Sequence, residues 1–271
     1  MNSLENNEIQ NNNLDANETP LVSVNICTHN RAKLITKAIK SALEQTYTNI
    51  EIIVADNGGD DTEEVISNIL NKNPNWQNKI HYFKNDTDGI SENRNFALEK
   101  SKGEFIAVLD SDDYWLTPNK IESQIVFLTE NPDHSLIGTN AIIVDKDDEK
   151  IGEIINKTTD EEITYYSLLK NNFVHSSVVF KKENFPGYDE EIFIWEDYDV
   201  FLKISKYSKV ANLLELMTAY KKHSGNISQT KKLKGVLTLE KIIKKNKNSF
   251  PNYFKARFKN MARLAKAILP F

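Results

Sequence analysis

The chain has 271 residues, 39% hydrophobic and 27% charged, with a formal net charge of −5. That is enough apolar material for one large domain or two small ones, and it excludes wholesale disorder. No apolar run approaches the roughly 18–20 residues that cross a bilayer, the N-terminus is acidic and Asn-rich, and the single cysteine, Cys27, forbids an intrachain disulfide, so no secretory signal and a reducing, cytoplasmic setting are expected.

Residues 1–20 hold seven Asn and no apolar periodicity, which predicts a disordered tail. Val22 to Cys27 reads as a buried strand, and Ile35, Ala38, Ile39, Ala42 and Leu43 follow at helical spacing. Ile50 to Val54 predicts a second strand. It ends in the turn-rich Asp56-Asn-Gly-Gly-Asp-Asp61, after which Thr62 can cap a helix running to about Asn71. Ile80 to Phe83 predicts a third strand, followed by a short helix from Ser91 that stops before Gly103, and Phe105 to Leu109 a fourth. Strands alternating with helices imply a mostly parallel α/β sheet covered on both faces. Ligands of such sheets bind beyond the carboxyl ends of the strands. Those ends carry Thr28-His29-Asn30, Asp56 and Asp110-Ser111-Asp112. Neither Gly-x-Gly-x-x-Gly nor Gly-x-x-x-x-Gly-Lys-Ser/Thr occurs, so phosphates must be held by metal and side chains.

The stretch Glu104-Phe-Ile-Ala-Val-Leu-Asp-Ser-Asp-Asp113 is the most informative. At the end of a strand, Asp110 and Asp112 fall on one side and Ser111 on the other. Clustered carboxylates repel, and a hard cation such as Mg2+ or Mn2+ relieves them. The competing reading is that they open the next helix, with Thr117 as N-cap and Pro118 at N1.

Val22-Ser-Val-Asn-Ile-Cys-Thr-His-Asn30, Val54-Ala-Asp-Asn-Gly-Gly-Asp-Asp-Thr62, Gly89-Ile-Ser-Glu-Asn-Arg-Asn95, Gly103 to Asp113 and Trp195-Glu-Asp-Tyr-Asp199 resemble, in order and spacing, the successive motifs of family 2 glycosyltransferases. The resemblance spans about residues 20–230. It implies the nucleotide-diphosphate-sugar-binding fold called GT-A, with residues 21–115 as the nucleotide-sugar half and 116–230 as the acceptor and catalytic half, metal dependence, and transfer with inversion. It places Thr28 and His29 at the nucleotide base, Asp56 on the base's ring N–H, Arg94 on the nucleotide side, Asp110 near the ribose or a metal-bound water, Asn30 and Ser111 in the same nucleotide-sugar site, and Asp112, with Asp110, on the metal. Two departures stand out: His29 replaces the usual Tyr, and Ala55-Asp-Asn-Gly-Gly replaces the commoner Asp-Asp-Gly-Ser-Thr. An imidazole can still stack on a base.

Leu136 to Val144 and Phe173 to Phe180 predict strands, Glu161 to Lys170 a helix, and 145–160 a polar loop. Trp195 to Asp199 opens a helix carrying Val200, Phe201, Ile204 and Tyr207, with an acidic first turn that suits the helix dipole. An inverting transfer needs a base on the acceptor hydroxyl. By the resemblance Asp197 is that base, Glu196 orients acceptor or sugar, and Asp199 is structural. His175 reads as a core histidine, and His223 looks like the family's late histidine near the diphosphate or metal.

Residues 231–271 carry 12 Lys and Arg against Glu240 alone, a net of +11, whereas the other 230 residues carry 22 against 38, a net of −16. This basic segment predicts helices broken near Pro251, the last with Phe254, Phe258, Met261, Ala265 and Ile268 on one face and Lys255, Lys259, Arg263 and Lys266 on the opposite one. That pattern fits an anionic membrane surface at the inner face of the plasma membrane, or packing on protein. No nucleic-acid reader motif is present. The expected donor is a nucleotide-diphosphate sugar, UDP-linked, and the acceptor a glycan or lipid-linked glycan. The other readings are a sugar-phosphate nucleotidyltransferase and a non-catalytic glycan- or nucleotide-binding module.

Overall fold

A computed structural model describes residues 19–222 and 232–268; the expected N-terminal tail and His223 lie outside them. Strands β1 (Val22–Thr28), β2 (Ile50–Asp56), β3 (Ile80–Lys84) and β4 (Phe105–Val108) are connected by helices α1 (Ala32–Leu43), α2 (Thr62–Lys72) and α3 (Ile90–Lys100). They pair in parallel in the order β3-β2-β1-β4. Chain order reverses at β1, which makes the β1/β4 border the switch point where an α/β sheet takes its ligand. The alternation is visible in burial: Ile52 and Val54 join the core under α1 and α2, while Ile53 and Ala55 pack with Ala97 of α3.

The second half continues the same sheet through β5 (Tyr114–Trp115), β6 (His134–Val144), β7 (Lys150–Ile154), β8 (Val179–Lys181) and β9 (Lys209–Lys221), with α4 (Lys120–Glu130), α5 (Asp160–Tyr166) and α6 (Glu196–Ile204). Here the pairing is mixed: β8 is antiparallel to β4 and β6, whereas β9 is parallel to β6. Two core clusters cover the sheet's faces, one with Ile121 and Ile125 of α4, the other with Ile163 of α5 and Phe201 of α6.

Several local expectations change. Helix α4 begins at Lys120 with Asn119 as N-cap, because the Pro118 carbonyl accepts from Thr46 N at 2.7 Å and holds that segment as a connection. Thr62 lies inside α2, and its hydroxyl donates to Asp60 Oδ1 at 2.6 Å. The segment 145–160 contains β7, a hairpin partner of β6. Phe173 to Phe180 is not one strand: Ser176 and Ser177 spend their hydroxyls on Asp113 and the Val174 carbonyl, which folds His175–Ser177 into a 3₁₀ turn and leaves only Val179–Lys181 to pair. Tyr207 lies past the end of α6 and is 90% exposed.

The basic segment forms α7 (Lys232–Lys245) and α8 (Tyr253–Ile268). Leu239, Ile242 and Ile243 of α7 and Ala256 of α8 share a buried cluster with Leu168, Leu169, Tyr198 and Leu202 of the catalytic half. Lys245 of α7 reaches the buried carboxylate of Asp199 at 3.6 Å, beside Lys203 at 2.7 Å. These helices are therefore part of the body, and Asp199 is the pin that holds α6 to them.

Candidate active site

A cavity of about 840 Å³ opens over the β1/β4 border. One wall comes from the end of β1. Thr28 is buried and its hydroxyl has no partner, and Asn30 holds the left-handed conformation at φ 55° that Asn tolerates. The Asn30 side-chain oxygen accepts from Gly59 N at 2.7 Å, and the His29 ring contacts the Asn57 carbonyl at 3.1 Å, so the β1 and β2 loops are laced together. Gly58 is required there, since a Cβ would stand 2.4 Å from Asn30 N. Asp56 is fully buried behind this wall. Its carboxylate accepts from Gly58 N at 2.8 Å, the Tyr82 hydroxyl at 2.9 Å and Lys84 at 3.3 Å, and it does not line the cavity.

The floor is a charged network. Arg94, 7% exposed, donates through Nη2 to Asp110 Oδ1 at 2.9 Å and through Nη1 to Glu196 Oε1, tying α3 to the acidic loop and to α6. It is a buried bridge, not a surface helix residue in a weak ion pair. His175 completes the network, with Nδ1 3.2 Å from Asp110 Oδ1 and Nε2 2.9 Å from the Tyr188 hydroxyl. Burial alone would raise the Asp110 carboxyl, but Arg94 and then His175 outweigh it and hold it well below the usual carboxylate range. Burial pushes Glu196 up, with Arg94 opposing.

Asp112 meets Arg31 Nη1 at 2.6 Å. Ser111 is fully buried, points away from the cavity, and its hydroxyl finds no partner. Asp113 accepts from Lys221 N at 2.8 Å and from the Ser176 hydroxyl; burial, then the charges of Asp112 and Asp110, push its carboxyl well above the ordinary range. That repulsion is what a hard cation relieves, so the donor set suits Mg2+ or Mn2+. Among the described residues no group of three or more His, Cys, Asp and Glu could hold an ion. Asp112 and Asp110 would share it with phosphate oxygens and water, as one or two carboxylates commonly do for Mg2+.

On the far wall, Trp195 stands at the start of α6 in the left-handed conformation, φ 72°, costly for a bulky residue and held by its indole N–H on the Gly235 carbonyl at 3.0 Å. This turn presents Glu196 and Asp197 to the cavity. Asp197 is half-buried, and its Oδ2 accepts from Asn171 Nδ2 at 3.1 Å. The structure thus brings Thr28, His29, Asn30, Arg94, Asp110, Asp112, Glu196 and Asp197 to one cavity and leaves Asp56 and Ser111 behind its walls. Arg31, His175 and Asn171 also line it and were not singled out as site residues from the sequence. Arg31 directly follows the His29-Asn30 pair, which was a usable signal; the other two carried none.

The family model described as Glycosyl transferase family 2 matches residues 23–199. The chain belongs to that family. It is 36% identical over 220 residues, 78% of this chain and 81% of the relative, to the Escherichia coli UDP-Glc:alpha-D-GlcNAc-diphosphoundecaprenol beta-1,3-glucosyltransferase WfaP. It is 30% identical, over 75% of this chain and 80% of the relative, to the Escherichia coli O-antigen biosynthesis glycosyltransferase WbnJ. Among solved structures, S. aureus TarS in complex with UDP-GlcNAc aligns at TM-score 0.67 and 19% identity over 91% of this chain and 71% of that one. The Pyrobaculum calidifontis mannosyltransferase PcManGT in complex with GDP-Man and Mn2+ aligns at TM-score 0.68 and 16% identity over 92% and 73%. The fold is the GT-A fold, and the protein is a glycosyltransferase.

Proposed function

We propose that this chain moves a sugar, with inversion at the anomeric carbon, from a UDP-sugar to a hydroxyl of a lipid-linked glycan. The observation that carries the reading is one cavity lined together by Thr28 with its unpartnered hydroxyl, the His29 ring, Asp110, Asp112 and Asp197. WfaP, by its name, uses UDP-Glc and a diphosphoundecaprenol-linked acceptor, which supports both substrate classes here.

In this reading Thr28 and His29 hold the uracil, with Asp56 keeping the facing loop in place, and Asp110, fixed as a carboxylate by Arg94 and His175, takes the ribose side. Mn2+ or Mg2+, when bound by Asp112 with Asp110, supplies positive charge to the diphosphate as it leaves. Arg31, already on Asp112, is placed to follow the phosphate oxygens. Asp197 accepts the acceptor's hydroxyl proton as that oxygen attacks the anomeric carbon opposite the departing UDP. Glu196, held by Arg94, orients the donor sugar.

The exposed apolar row of α8 and its basic neighbours support docking of the enzyme on an anionic membrane surface, each basic residue near it contributing roughly 1 kcal/mol. No described helix is long and apolar enough to cross a membrane.

Calorimetric titration of UDP against GDP, each with and without Mn2+, tests the donor assignment. Mn2+-dependent binding of UDP in preference to GDP is the expected result. Absent or unselective UDP binding overturns it.

A further inference from the structure

Beside the catalytic wall lies a cluster of cations that the sugar-transfer chemistry does not use. Asn171, which holds Asp197, is preceded by Lys170, whose ammonium donates to the Ile155 carbonyl at 3.0 Å. Ile154, the neighbour of Ile155, lines the cavity. Lys259 of α8 donates to the Leu169 carbonyl at 3.1 Å, so it arrives at the same turn from a different element. Lys157 comes from a third, with its ammonium 5.2 Å from the Tyr166 ring centroid. Burial, then the charges of Lys157 and Lys259, lower the Lys170 pKa, as expected when like charges converge. Lys157 has Glu162 at 2.7 Å. Lys170 and Lys259 are tied to carbonyl oxygens, which fix their positions without cancelling their charge.

Outward from these lysines the surface turns apolar. Tyr165 is 51% exposed, and its carbonyl accepts from Asn252 at the start of α8. Along α8, Phe254, Phe258 and Met261 are 83%, 76% and 59% exposed. Three zones are therefore linked in turn: the candidate base Asp197 on Asn171, then the lysines at the adjoining turn of residues 169–170, then the exposed aromatic and aliphatic side chains of α8, the helix that carries Lys259. A sugar joined through a diphosphate to a hydrocarbon chain has the same three zones in the same order.

We propose that Lys170 and Lys259, supported by Lys157, form a subsite for the diphosphate of a polyprenyl-diphosphate-linked acceptor, distinct from the site of the donor's diphosphate, with the lipid running along the apolar row of α8. The inference rests on the acceptor reading above and names the residues that would recognise that acceptor. With the diphosphate held there, the acceptor sugar reaches Asp197 while its lipid stays outside the cavity.

The test is calorimetric binding of farnesyl diphosphate to the full chain saturated with UDP and Mn2+, so that the donor's diphosphate site is filled. Farnesol serves as the uncharged control. Lys170→Gln together with Lys259→Gln keeps a donor for each carbonyl while removing the charge, and UDP affinity reports that the variant is folded. At least a tenfold loss of farnesyl diphosphate affinity in the double variant, with farnesol weak on both proteins, is the expected result. Equal affinity of wild type and variant, farnesol binding as tightly as its diphosphate, or no binding to the UDP-loaded wild type overturns the subsite. If UDP itself does not bind, the donor reading fails first and the subsite falls with it.

Discussion

Asp197 is the residue on which the proposed chemistry turns, and its setting separates it from its neighbours. Glu196 is committed to Arg94 and Asp199 to Lys203 and Lys245, while Asp197 faces the cavity with Asn171 on its carboxylate among the described residues. Asp197→Asn should reduce transfer by about 10²–10⁴-fold, the usual contribution of a positioned base, with UDP affinity intact; transfer near the wild-type rate would remove the assignment. Arg94 is a different case, because Arg94→Met leaves the buried Glu196 without its cation and the partly buried Asp110 with His175 alone of the charged partners named above. A loss of about 3–5 kcal/mol in chemical denaturation is expected, larger than any surface pair gives. Lys120 is fully buried, with its ammonium 2.6 Å from Gln124 Oε1 and 4.4 Å from the Trp115 ring centroid, and burial alone drives its pKa well below the ordinary lysine value. The unfolded chain thus binds more protons than the folded one between the depressed and ordinary values. Stability attributable to this group rises with pH through that window and is diminished below it. Lys120→Met should abolish that dependence and raise stability at neutral pH, measured by denaturation across a pH series.

At the scale of elements, two loops and one helix frame the proposed donor and acceptor sites. The β2 loop touches Asn30 at a distance only glycine allows, so Gly58→Ala should displace it and weaken UDP binding severalfold in a titration. Unchanged affinity would detach that loop from the base pocket. Helix α8 presents three faces. Ala256 and Asn260 are buried towards the body, Phe254, Phe258, Met261 and Ile268 are exposed, and Lys255, Lys259 and Lys266 lie between. Phe254→Ser with Phe258→Ser should reduce sedimentation with phosphatidylglycerol vesicles while leaving the melting temperature nearly unchanged, since both side chains are largely exposed. Equal sedimentation would assign the row to a protein contact. Of the two readings posed by the sequence, packing on protein is seen for one stripe of α8, while another stripe is exposed.

For the whole molecule, the C-terminal helices are structural. Ile242, 1% exposed, joins Tyr198 and Leu202 of the catalytic half in one cluster. Ile242→Ala should cost about 2–5 kcal/mol and lower the single melting transition; a two-step melt with the catalytic transition unchanged would mark the segment as an appendage. How much of this was readable follows the range of the contacts. The order of strands and helices from Val22 to Leu109 is written in local periodicity, and the spacing of Asp110 and Asp112 at a strand end follows from the pleat, so fold and acidic centre were accessible without coordinates. Strand β9 reads Val-Ala-Asn-Leu-Leu-Glu-Leu-Met, a composition as fit for a helix, and only pairing with β6 makes it a strand. His175 looked like a core residue and is buried, yet it also holds Asp110, because the 3₁₀ turn delivers it across 65 residues of sequence. The sequence by itself determined the family and the parallel half of the sheet, and it singled out the candidate residues for nucleotide and metal, since each rests on contacts or motifs a few residues long. The tertiary structure alone decided which carboxylates reach the cavity, that Arg94 bridges two of them, and that Lys259 of α8 comes to the turn that carries Lys170 and Asn171, since long-range packing sets those distances.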